Sequence, residues 1–299
     1  MGNPGGFAAF RYRDFNLFIF AKFFAAGTYH MILVAVLYQL YDLTQNPLNI
    51  AMVNLCMIVP VFVFALLTGY VADSFDRKSV LTVTYSVLCI GATGLCIESY
   101  LGVTRMWLIY LLLLAIGTSR AFQGPTTNSL VPTLVPREVF ANAIAWNQST
   151  AKTAQICGPA AGGFLYLLGP EVVYGTAAAT FLFGVLSTLA MRRGEVARKK
   201  SGINIELLLE GIRYVFNKRI LFGAIAVDLI TALMGGVQAM LPIFARDILE
   251  VGAHGAGILR SSMALGGLLA ALIFTHVSIY RAGMTMMAAC AVYGTAVML

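Results

Sequence analysis

An ionisable side chain inside an apolar run is the place to look for chemistry, because a charge at the centre of a membrane helix costs about 2.5–3.5 kcal/mol. Asp228 lies deep in an apolar run over about 220–245, and no other carboxylate is placed as deep in any run. Lys152 falls near the middle of a run over about 139–168, and Arg120 toward one end of a run over about 106–127. A carboxyl group stripped of water can hold a proton near neutral pH. Asp228 is therefore the preferred acceptor for a proton or cation, and Lys152 a counter-charge or a binder of an anionic substrate. Structural neutralisation by hydrogen bonds, or by one another, fits both residues as well. Arg120 also fits a snorkelling side chain, and His30 reads first as a packing histidine.

No enzyme signature competes with this reading. The sequence holds no GxxxxGK[ST] loop, no HExxH and no GxSxG. Its five cysteines, Cys56, Cys89, Cys96, Cys157 and Cys290, all lie in apolar runs without CxxC or Cys/His spacing. Neither a disulfide framework nor a metal site is implied. The expectation is a non-enzyme with no cofactor and no metal.

The elements that must position these residues follow from composition. Of 299 residues, 59% are hydrophobic and 11% charged, with a mean hydropathy of +0.82. A soluble domain is nearer a quarter charged, so lipid is the matching solvent. A hydrocarbon core of about 30 Å takes roughly 20 apolar residues per helix. Runs of that length lie at about 15–42, 47–71, 79–100, 106–127, 139–168, 172–191, 220–245 and 255–277, with a ninth from about 283. The fold class is all-α and polytopic, and short loops predict sequential helices as antiparallel neighbours. The first run follows Arg11 and Arg13 without a small-residue cleavage site, so it reads as a retained span rather than a signal peptide.

The net charge of +7 orients the chain and calls for no nucleic acid. Of its 20 Lys and Arg, 14 map to one side, among them Arg11, Arg13, Arg77, Lys78, Arg137 and the cluster Arg192 to Arg219, while Arg105 and Arg246 map to the other. The positive-inside rule then puts the N-terminus in the cytoplasm, in a multi-pass protein of the cytoplasmic (inner) membrane. Residues 192–219 are polar and basic, and Ile205, Leu208, Leu209, Ile212, Val215 and Phe216 share one face of an amphipathic helix there; an ordinary linker is the alternative. The domain plan is a six-helix half over 1–191, a central loop over 192–219 and an incomplete second half over 220–299. The run from 283 is short, so a fragment lacking about three C-terminal helices is expected.

Three motifs carry a family resemblance. After the second run stand Gly69, Asp73, Arg77 and Lys78 in the sequence GYVADSFDRK, with Ser74 and Asp76 in place of a basic residue and a glycine. The fourth run holds Arg120 three residues before Gln123-Gly124. The fifth holds Gly158-Pro159-Ala160-Ala161-Gly162-Gly163, with Ala145 and Ala154 where two earlier glycines would stand. Together they resemble the signature loop, fourth-span motif and antiporter motif of the major facilitator superfamily, in its enterobactin-exporter-like branch of drug and siderophore efflux proteins. Residues 10–15 and 241–247 are similar to the same branch. The resemblance implies about nine transmembrane helices of an expected twelve, and a gating loop at Gly69, Asp73, Arg77 and Lys78. It also implies secondary active transport by alternating access, with proton-coupled efflux of a drug-like or siderophore-like compound. Expected partners are the lipid bilayer, a small-molecule substrate and protons, for a monomer. A proton-coupled uptake symporter is the alternative, and a non-transporting scaffold or sensor is a remoter one.

Overall fold

The structure is a computed structural model that describes residues 6–102, 105–192, 218, 222–223, 226–227, 237–276 and 282–298. Every regular element among them is helical. The long helices are α1 (Arg13–Thr44), α2 (Pro47–Ser74), α3 (Arg77–Tyr100), α4 (Met106–Leu134), α5 (Phe140–Tyr166) and α6 (Pro170–Ala190). Then come α7 (Val237–Ile243), running into a π-helical turn (Phe244–Ile248), α8 (Gly252–His276) and α9 (Ala282–Met298). The expected amphipathic helix of the central loop, and Asp228, lie outside the described residues.

Local chemistry sets the ends. Asn46 caps α2, its side chain accepting from Leu48 N at 3.0 Å, with Pro47 in the first turn where a missing N–H costs nothing. Asp76 caps α3, accepting from the Ser79 hydroxyl at 2.7 Å. Pro170 opens α6 after Gly169, whose φ of 116° suits glycine. Five helices, α1, the Pro47–Ala65 part of α2, α3, α4 and α6, are long and apolar enough to cross a membrane. Their outer faces expose large apolar side chains such as Ile90, Leu111 and Leu186, as contact with lipid requires.

Apart from α3 and α4, sequential helices among the described residues are not the closest neighbours, which corrects the expectation drawn from short loops. The extensive contacts are α1 with α5 and α6, α2 with α4, α3 with α6 and α4, and α5 with α8. The reason is where small residues fall. A Cβ on Gly117 of α4 would lie 2.8 Å from the Cys56 carbonyl of α2, and one on Gly162 of α5 would lie 2.7 Å from the Met31 carbonyl of α1. In lipid, helices gain little by hiding apolar faces from one another, so backbone approach through small residues selects the pairs. Each of the first three helices thus packs mainly against the next three. The most buried is α1, with Phe15, Phe18, Leu37 and Leu40 in a core shared with Tyr85, Leu113, Tyr174 and Phe181.

Polar ties reinforce the packing. Tyr174 donates to Gln39 Oε1 at 2.6 Å, and Gln39 Nε2 donates to Ser99 at 3.3 Å, joining α6, α1 and α3. Before α1, the peptide oxygen of Gly6 accepts from Asn142 and Trp146 at the start of α5.

Gly158→Val and Gly162→Val are expected to destabilise the bundle by about 1–3 kcal/mol each through overpacking. Gly124→Ala, where a Cβ would meet nothing within 4 Å, should leave the thermal midpoint in detergent unchanged.

Candidate functional site

Four helices enclose a cavity of about 730 Å3 in the part of the bundle nearer Arg13. The lining recurs at helical spacing on each element: Lys22, Ala26, Tyr29 and His30 on α1; Ile58, Val61, Ala65 and Thr68 on α2; Arg120, Gln123, Gly124 and Thr127 on α4; Gln148, Lys152 and Gln155 on α5. Residues three and four apart share a helix face, so α1, α4 and α5 each turn a largely polar or small stripe inward, while α2 contributes a mainly apolar one.

Two prolines add to this wall. Pro125 and Pro159 stand inside α4 and α5. Lacking an N–H, each leaves the carbonyl four residues earlier without its helical donor. Those carbonyls belong to Ala121 and Gln155, both of which line the cavity. Backbone freed at membrane depth is tolerated beside a water-filled space.

The charged groups are held unequally. Arg120 stacks over the Tyr29 ring, Cζ 4.5 Å from its centroid, and donates from Nη1 to Gln123 Oε1 at 3.1 Å. It faces the cavity. Lys22 donates to both the carbonyl and the side-chain oxygen of Asn147, which ties α1 to α5. Lys152 lines the cavity, exposed, and makes no hydrogen bond or ion pair with any described residue. Lys152 and Arg120 line one cavity; Asp228 lies outside the described residues.

The glycine motif of α5 does two jobs. Gly158 and Gly162 face α1, where added Cβ atoms would meet His30 Cβ at 2.9 Å and the Met31 carbonyl. Gly163 faces α8 instead; its Cβ would meet the Ala253 carbonyl at 2.7 Å, and Gly257 packs reciprocally against the Pro159 carbonyl. One helix therefore touches both the first six helices and the C-terminal segment.

The loop motif is resolved in part. Lys78 donates to the carbonyls of Leu189 and Met191, capping the end of α6. Asp76, a departure from the family pattern, is the α3 cap described above. At Gly69 a Cβ would meet nothing within 4 Å. Of the Asp73 side chain nothing is described.

At the Thr44 end a polar clasp joins the first helices to the C-terminal segment. Arg246 pairs with Asp42 at 2.9 Å, and Tyr41 donates a short hydrogen bond to Asp247. A second cavity of about 280 Å3 at this end is lined by Asp42, Glu98 and Glu171 among others. The Arg246–Asp42 pair is half-exposed and worth about 0–1 kcal/mol, so a single substitution there should shift the clasp's equilibrium only a few-fold. In a cysteine-free background, spin labels at the exposed Leu43 and Leu249 should show a longer-distance population that grows with Arg246→Gln and grows further with Tyr41→Phe added.

Lys22, Tyr29, Gln123 and Asn147 were not singled out from sequence as site residues. A signal existed on the facing helix, where Gln148, Lys152 and Gln155 recur at helical spacing as a polar stripe on α5.

The geometry agrees with what this chain is similar to. The family model described as transmembrane secretion effector matches residues 4–299. The enterobactin exporters EntS of Salmonella choleraesuis (strain SC-B67) and of Escherichia coli O1:K1 are each 25% identical over 259 residues, which is 86% of this chain. The chain spans 62% of the length of these relatives. A crystal structure of a bacterial homolog to the human lysosomal transporter Spinster, in an inward-facing and unoccupied conformation, superposes with a TM-score of 0.67 at 17% identity. The match covers 91% of this chain and 65% of that one. At that identity the likeness concerns the fold.

Proposed function

The chain belongs to the transmembrane secretion effector family within the major facilitator superfamily, and from that premise we propose that it is a secondary active transporter that exports a small drug-like or siderophore-like molecule by alternating access. The observation that carries this reading is the asymmetry of the bundle. A polar cavity lies in the half nearer Arg13, while the clasp and the Gly163–Gly257 contact join the first helices to the C-terminal segment toward the Thr44 end. With the N-terminus in the cytoplasm of a multi-pass inner-membrane protein, as the charge distribution supports, this arrangement is the inward-facing state. Rocking about the α5 contacts would break the clasp and expose the cavity on the other side.

Protons are the coupling ion in this reading, with Asp228 as acceptor and the loop of Gly69, Asp73, Arg77 and Lys78 as the gate. The glycine faces of α5 favour export over uptake, in line with the EntS relatives being enterobactin exporters. The chain acts as a monomer.

Two outcomes are expected in everted membrane vesicles. Substrate accumulation should collapse when the pH gradient is dissipated, and persistence would remove proton coupling. Asp228→Asn should abolish gradient-driven flux with the protein still in the membrane; flux at the unaltered rate would remove Asp228 from the mechanism.

A further inference from the structure

The charge inventory of the large cavity names a ligand class. Its described lining includes Lys22, Arg120 and Lys152 and no aspartate or glutamate. Carboxylates are instead gathered at the opposite end, where Asp42, Glu98 and Glu171 line the smaller cavity. Among the described residues the one ion pair is Arg246–Asp42, outside the large cavity, so none of its three cations has a carboxylate partner there.

What each cation has left to give can be counted from its bonds. A guanidinium has five N–H donors, and Arg120 directs one to Gln123. Its Cζ lies 4.5 Å over the Tyr29 ring, a contact that takes none of its N–H donors and leaves the rest of the fork for a planar anion. Lys22 directs two donors to Asn147 and keeps one. Lys152 keeps all three. Three like charges around one partly desolvated space repel one another, and the repulsion is relieved when an anion enters. Tyr29 and the apolar stretch Ile58, Val61 and Ala65 of α2 supply a wall for a flat hydrophobic body.

We propose that this cavity selects an anionic amphiphile: an acidic head, such as a carboxylate or phenolate, held between Arg120 and Lys152, with an aromatic or apolar body against Tyr29 and α2. The assignment rests on the transport reading only in calling the ligand a substrate; the binding itself needs no movement.

The test uses the full chain in lipid nanodiscs at pH 7.5, with three probes on one frame: 2-naphthoate, 2-naphthamide and 2-naphthylmethylammonium. Radiolabelled 2-naphthoate should bind, and the amide and the ammonium should compete at least about tenfold more weakly than unlabelled naphthoate, the scale of one charge-assisted hydrogen bond. Arg120→Gln and Lys152→Gln should each weaken naphthoate about tenfold while leaving the amide unchanged, and Lys152→Arg should restore it. Lys152 holds no described partner, so its variants fold even if Arg120→Gln does not. Absent naphthoate binding, equal competition by the ammonium, or two silent glutamine substitutions would each overturn the proposal. Naphthoate binding without any export would sink the transport reading alone. Proton-driven export of cations, with naphthoate ignored, would sink the anion assignment alone.

Discussion

A methyl group on Gly162 would sit 2.7 Å from the carbonyl of Met31, and one on Gly163 would sit 2.7 Å from the carbonyl of Ala253. Those two absent atoms set the position of α5. Because α5 touches backbone on both sides, its polar stripe of Gln148, Lys152 and Gln155 is held opposite α2 and α4 rather than rotated toward lipid. The cavity's width, the approach of Arg120 to Tyr29, and the tie from Lys22 to Asn147 all presuppose that spacing. Larger side chains at these glycines would push α1 and α8 outward and open the site to hydrocarbon.

Much of this was legible in the residues. The spans follow from run length alone, because hydrocarbon tolerates a peptide group only when it is bonded within its own helix. The first six helices fall on the expected runs, with α4 extending to Leu134, past the expected end near 127. A charge at depth must face something other than lipid, and Lys152 and Arg120 both line the large cavity. Pairing was not legible. Short loops bring consecutive helix ends together but leave the helices free to splay, and the partners are chosen by glycines scattered over α3, α4 and α5. The aromatic shelf of Tyr29 and the amide of Asn147 escaped notice because such residues are common in any helix. Only their convergence, a long-range property, marks them.

One departure from the family pattern in the loop has a local explanation. Asp76, standing where a glycine is usual, stabilises the first turn of α3 by accepting from Ser79. Lys78 satisfies carbonyls at the end of α6 that no helical N–H can reach. The loop is thus fastened to two helix termini by side chains of this chain's own choosing, whatever part it plays in the conformational cycle.

The anchoring of the N-terminal segment carries an optical consequence. The chain has two tryptophans. Trp107 stands exposed on α4, whereas Trp146, on α5, donates to Gly6 at 2.8 Å with its ring 4.9 Å from Phe10 and 5.2 Å from Phe7. Any tilt of α5 that strains this aromatic nest alters the indole's surroundings, so intrinsic emission supplies a label-free gauge of the helix that joins the two parts of the bundle.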